Sequence, residues 1–185
     1  MASKANGGAA RNQWRMIGWG TAAALLVAPF VAMQFTREVN WTGSDFVVFG
    51  LMLLAVGIPL ELAARYSGNR TYLAAAALAL LGAFLVTWAN LAVGIVGSDD
   101  NPANQLFFVA LLIGLVGAVL ARFRARGMSF AMLASALGLE AAFLLAVTHP
   151  TDEPQVSHLT ELAGTSLFAA LFLLSAWLFR RAARS

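Results

Sequence analysis

The chain is 185 residues long, 60% hydrophobic and only 11% charged, with a mean hydropathy of +0.75. A soluble core of this size needs far less apolar surface, and several apolar runs approach the roughly 20 residues that cross a bilayer, so an ordinary soluble domain is excluded. The absence of cysteine excludes disulfides, thiolate metal sites and cysteine nucleophiles, and the net charge of +3 comes from basic residues dispersed beside apolar segments, which fits membrane orientation better than nucleic-acid binding.

Residues 1–15 are polar, rich in Gly and Ala and basic through Lys4, Arg11 and Arg15, and they read as a mobile cytoplasmic tail. Trp14 and Trp19 mark an interface, and a first span follows at about 16–35 with Pro29 in its outer half. Its basic start and apolar body resemble a signal peptide, but no small-x-small cleavage pattern follows cleanly, so the span is expected to be retained. Residues 36–44 form a first outer loop with Arg37, Glu38 and Trp41. Asn40-Trp41-Thr42 there fits a glycosylation sequon, which a bacterial source would leave idle. In a second span at about 45–66, Pro59 removes one backbone donor and predicts a kink in the inner third. Glu61 and Arg65, four apart on one face, predict an ion pair at the inner boundary.

After an inner turn at 67–70, a third span is expected at about 71–97. Within it Asn90, Gly94 and Gly97 recur at helical spacing and share a face that a neighbouring helix can approach closely. Asn101 is a good N-cap, Pro102 suits the first helical position, and Asp99 and Asp100 lie near the positive end of the next dipole. So short a connection predicts a hairpin between the third span and a fourth at about 102–122. Arg122, Arg124 and Arg126 make a basic inner loop. A fifth span at about 127–148 is stopped by Pro150, an acidic outer loop covers 151–156, and Ser157 caps a sixth span at about 158–179, beyond which lie Arg180, Arg181 and Arg184.

On this layout every Lys and Arg except Arg37 falls on the side of the N-terminus, which predicts six spans with both ends in the cytoplasm. The acids Glu38, Asp45, Asp99, Asp100, Asp152, Glu153 and Glu161 fall on the other side. A weak repeat is also visible: Ala64-Arg65-Tyr66 followed by Ala83-Phe84-Leu85-Val86 resembles Ala121-Arg122-Phe123 followed by Ala142-Phe143-Leu144-Leu145. It would make spans two and three a copy of spans four and five, although composition rich in Ala and Leu produces such matches by chance.

The run from Asn90 through Val93-Gly94-Ile95-Val96-Gly97 to Asn101-Pro102-Ala103-Asn104 resembles a group of small bacterial membrane proteins with no established activity, over about residues 41–126. The resemblance implies the bacterial inner membrane and carries over no catalytic or binding residue.

Glu140 is the one acid deep in an apolar span. At about 1.5 Å per residue it lies a few ångströms to the outer side of the midplane. An ionised carboxylate there is costly, so Glu140 is expected to face protein or water and to be protonated or hydrogen-bonded. Thr87 and Asn90 of the third span, and Thr165 and Ser166 of the sixth, fall in the same half of the membrane. If spans three, five and six are neighbours, these five residues form one buried polar cluster. Its structural use is to hold helices together through a neutral Glu140 that donates to Asn90, a threonine or a backbone carbonyl. Its functional use is a proton or solute site in which Glu140 changes protonation, a reading weakened by the lack of a second intramembrane charge.

The two histidines, His149 and His158, stand at the outer ends of spans five and six near Asp152, Glu153 and Glu161. His158 and Glu161, three apart, make a mixed metal site geometrically feasible, but the spacing matches no specific metal motif. No Gly-rich phosphate loop, paired catalytic carboxylates or nucleophile with a base is present. Gly114, Gly117, Gly138 and Gly164, all inside spans, suit close helix contact.

The expectation is therefore an all-α, six-helix transmembrane bundle with no soluble domain, no cofactor and no nucleic-acid partner. The leading function is non-enzymatic, structural or partner-binding, with the lipid bilayer and a membrane-protein partner or second copy as its contacts. A small-solute or proton-coupled transporter built on Glu140 is the alternative, and a membrane enzyme using the outer-face histidines comes third.

Overall fold

A computed structural model of the chain describes residues 2–148 and 158–185. It is all-helical: among the described residues there are six helices long and apolar enough to cross a membrane, and no strand. His149, Pro150, the acidic loop with Asp152 and Glu153, and the Ser157 cap lie outside the described residues. The chain divides into two compact units, Met1–Leu62 and Ala63–Ser185.

The first unit holds α1 (Ala2–Ala32) and most of α2 (Gly43–Tyr66). The polar segment expected as a tail is helical from Ala2, as a continuation of the apolar helix through residues that include the weak helix formers Asn6, Gly7 and Gly8. Half of a capping box opens α2: the backbone N–H of Thr42 donates to Asp45 Oδ2 at 2.6 Å, and the Thr42 hydroxyl donates to the same oxygen at 2.8 Å. Beyond it α2 runs through Pro59 to Tyr66 as a single helix. Trp41 packs edge-on against Phe46 and Phe49, and Trp19 of α1 lies over Gly57, where an added Cβ would come within 3.0 Å of the indole. Trp19 Nε1 donates to Glu61 Oε2 at 2.9 Å, and Arg15 meets Glu61 Oε1 at 2.8 Å, so Glu61 ties the two helices together.

In the second unit, α3 (Arg70–Ala92) packs along α6 (His158–Ala182), α6 along α5 (Ala125–Thr148), and α5 along α4 (Gln105–Leu120). Small residues make the close contacts. Gly117 stands so near Ala131 that a Cβ would approach it to 2.8 Å, Gly138 faces Ala110, Gly82 faces Phe172, and Gly114 faces the hydroxyl of Ser135. Buried hydroxyls join the helices to one another's backbone: Ser175 donates to Ala75 O at 2.8 Å and Ser135 to Ala110 O at 3.1 Å. Val86, Phe107, Leu139 and Phe179 are fully buried between them. Gly164, expected at a contact, has nothing within 4 Å of an added Cβ.

Further departures from the sequence reading concern helix ends and packing, and the first helix already stops at Ala32, where the span is expected to reach about 35. The third helix stops at Ala92 instead of continuing to Gly97, because Gly94 and Gly97 take left-handed φ values of 73° and 67° that end a helix and shape a turn. The expected hairpin of α3 and α4 is a connection without a long contact: α3 lies on α6, and α3 and α4 meet only weakly. At the other end α4 stops at Leu120, since Arg122 and Phe123 both sit at positive φ, 50° and 56°. Tyr72 holds that turn through its hydroxyl, which donates to Phe123 O at 2.7 Å. Asn69 Nδ2, bonded to Ala182 O and Ser185 Oγ, brings the start of α3 beside the end of α6. Arg70, the arginines of the α4–α5 turn and those ending α6 thus share one end of the unit, while Asp99, Asp100 and Glu161 lie at the opposite end.

Candidate functional site

The polar centre of the second unit lies in the α3–α4 connection, and Asn104 builds it. Asn101 Oδ1 accepts from Ala103 N–H at 2.9 Å and caps a single 3-10 turn at Pro102–Asn104, as its sequence position predicts. The turn delivers the Asn104 side chain into the loop. Its Oδ1 accepts from both Ile95 N–H and Val96 N–H at 3.0 Å, and its Nδ2 donates to Val96 O at 3.2 Å and Ser98 O at 2.7 Å. One amide side chain thereby replaces the backbone ladder that an irregular segment lacks, leaving Ile95 and Val96 buried without orphaned N–H groups. Gly94 is required beneath it: an added Cβ would press on Ser98 O and come within 2.8 Å of Asn104 Nδ2.

Two helices attach to this loop. Asn90 near the end of α3 donates through Nδ2 to Asn104 O at 2.8 Å. From α6, Glu161 accepts Gly97 N–H on Oε1 at 2.8 Å and faces His158 Nδ1 on Oε2 at 3.0 Å. The Glu161 side chain is only 5% exposed whereas that of His158 is 73% exposed, so the acid belongs to the interior and the imidazole to the surface. Glu161, expected as a boundary acid, is therefore a structural acceptor. Among the described residues no group of three or more His, Cys, Asp or Glu is placed to hold a metal, and the neighbours expected for such a site, His149, Asp152 and Glu153, lie outside them.

The five residues expected to cluster are placed differently from one another. Asn90 and Thr165 are both buried, and each has an oxygen without a hydrogen-bond partner: Asn90 Oδ1 and Thr165 Oγ1. The antiparallel register of α3 on α6 runs from Ser175 beside Ala75 to Leu171 beside Gly82. Continued outward, it sets Asn90 and Thr165 within about one helical turn of each other along the axis. Thr87 is half-buried one turn away on α3. Ser166 is exposed, because the next residue after inward-facing Thr165 is rotated by about 100° and points off the bundle.

Glu140 is half-buried and makes no hydrogen bond or ion pair among the described residues. On the α5 wheel it lies just past the buried arc of Met132, Ala136 and Phe143, on the flank of the helix. It does not donate to Asn90, whose Oδ1 is left without a hydrogen-bond partner. The arrangement corrects the expected single cluster to a closed loop network around Asn104 and Glu161, two unsatisfied oxygens beneath it, and a separate carboxyl on the side of the unit.

Sequence reasoning passed over Asn104 and the buried role of Glu161. The available signal for the first was a second asparagine three residues after a capping asparagine, at the end of a glycine-rich run. Compared with protein families, curated proteins and solved structures, the chain matches none.

Proposed function

We propose that this chain is an integral protein of the bacterial inner membrane, with both described ends of the chain in the cytoplasm, that works by contact with another membrane protein and not by chemistry of its own. The orientation is supported by the gathering of arginines at one end of the second unit and of acids at the other, read through the positive-inside rule. The observation that carries the partner reading is the contrast between Glu140 and most of the interior polar groups, Thr165 being the buried exception. Asn90, Asn104, Ser135, Glu161 and Ser175 are bonded to backbone of their own unit, while Glu140 stands mid-span on its flank with no bond among the described residues. A carboxyl at that depth is stabilised when a neighbouring helix supplies a donor or acceptor.

A photo-crosslinking residue at Leu144, exposed one turn from Glu140, tests this in intact membranes. The reading expects a discrete crosslinked product that is weakened several-fold by Glu140→Ala and retained by Glu140→Gln, which keeps a hydrogen-bonding head. A product unaffected by either substitution would remove Glu140 from the contact. A second reading, transport of a proton or small solute, draws on the unsatisfied oxygens of Asn90 and Thr165, since buried polar atoms without protein partners suit water or a polar solute. It expects a flux across liposomes that Glu140→Gln abolishes.

A further inference from the structure

The α4–α5 side of the second unit carries an open groove of about 750 Å³, within the range of small-molecule sites. Its floor is made by Gly117, Ala131 and Ala134 and its walls by Leu112, Val116 and Phe130. The groove exists because the small residues that let α4 and α5 touch leave a trough between the larger side chains on either flank. It runs to Leu120, Ala121 and Gly127, so it ends at the turn bearing Arg122, Arg124 and Arg126. All three arginines are exposed, and none has an ion pair among the described residues. Arg122 and Arg124 precede and Arg126 lies within the first turn of α5, a positive dipole end that carries no acid, so cations are gathered where an anion is favoured.

An apolar channel of spanning direction with a cationic mouth matches one kind of molecule: a charged head joined to a long hydrocarbon tail. We propose that this groove is a specific site for an anionic phospholipid, one acyl chain lying between α4 and α5 and the headgroup phosphate held by Arg122, Arg124 and Arg126. Guanidinium groups suit this role because each offers paired donors to phosphate oxygens. A partner helix would also fill an apolar trough, but it would leave three clustered arginines uncompensated unless it carried matching acids. A phospholipid supplies the charge and the chain together. The site lies apart from Glu140 and does not depend on the partner reading.

The test uses the full chain in vesicles of phosphatidylglycerol and phosphatidylcholine, with one lipid or the other brominated on its acyl chains. Val116→Trp places a fluorescent reporter in the groove, and its signal is the difference from the parent protein, which has five tryptophans. Leu173→Trp on an exposed part of α6 serves as the control. Brominated phosphatidylglycerol should quench the groove reporter at a mole fraction about fivefold lower than brominated phosphatidylcholine, with little preference at the control. The joint change of Arg122, Arg124 and Arg126 to Gln should bring the preference close to one, and their joint change to Lys should keep most of it, since each nearby cation attracts anionic lipid by a few-fold. Equal quenching by the two lipids in the parent background overturns the proposal. So does an equal preference at the control, which would mean general enrichment of anionic lipid around the protein. If the Gln variant fails to insert, the control reporter and the Lys variant still decide, and a preference lost on going to Lys would reject a charge-driven phosphate site.

Discussion

Hydropathy and packing part company between the two units. The α2 helix is the most apolar span, with a mean hydropathy of 2.3, yet 6% of its window is buried, and α1 buries none of its own. The α5 helix, at 2.0, buries 44%. Apolarity puts both into the membrane, but against lipid tails it gives no reason for one helix to seek another. What the second unit adds is a run of close approaches at Gly114, Gly117 and Gly138, hydroxyls of Ser135 and Ser175 bonded across helices, and a loop tied down by Asn104. The first unit has a polar tie at Glu61, and indole and phenyl rings over a glycine and at the turn before α2.

The largest effect is expected at Asn104. Asn104→Ala removes four side-chain hydrogen bonds and strands two N–H groups and the Val96 carbonyl, each costing about 1–3 kcal/mol where water does not reach, while Ser98 O keeps the Asn101 N–H. A net loss of about 3 kcal/mol or more is expected in reversible unfolding in mild detergent, and a loss below about 1 kcal/mol would show that the loop contributes little to the unit.

Gly114→Ala and Gly164→Ala make the same change on two apolar helices. At Gly114 the new methyl collides with Ser135, predicting a loss of about 1–3 kcal/mol and a weakened bond from Ser135 to Ala110 O. At Gly164 there is open space, and the effect should stay within about 0.5 kcal/mol. Equal melting temperatures would mean that close approach does not stabilise this unit.

A small effect is also expected in the first unit. Glu61→Gln keeps an acceptor for Trp19 but gives up the charge facing Arg15, whose side chain is 49% exposed, so about 1 kcal/mol or less is at stake. Hydrogen exchange should quicken in α1 while the amides of α5 keep their protection. Slower exchange in α1 would show that the pair opposes packing.

Much of this architecture was legible because it is local. Span lengths, the gathering of Arg70, Arg122 and Arg180 at one end, and the cap formed by Asn101 and Pro102 each depend on a few adjacent residues. The polar network was less legible for three physical reasons. Gly94 and Gly97 have the spacing of a helix contact and equally that of two left-handed turn positions, and only the fold chooses between them. The α6 helix is apolar on most sides, so nothing in its pattern told that Thr165 faces inward and Ser166 outward. The bond from Gly97 to Glu161 joins residues 64 positions apart, a distance at which no motif speaks.

That last bond also orders events during synthesis. Glu161 belongs to α6, the last of the six helices to leave the ribosome, whereas Gly97 belongs to a connection made long before it. Asn104 can gather its loop as soon as α4 has emerged, but the Gly97 amide must wait, hydrated at the membrane surface, until the sixth helix inserts alongside α3. Completion of the loop is thus a late step of biogenesis, and a nascent chain halted between α5 and α6 would carry the loop half-formed, open to the water that α6 later displaces.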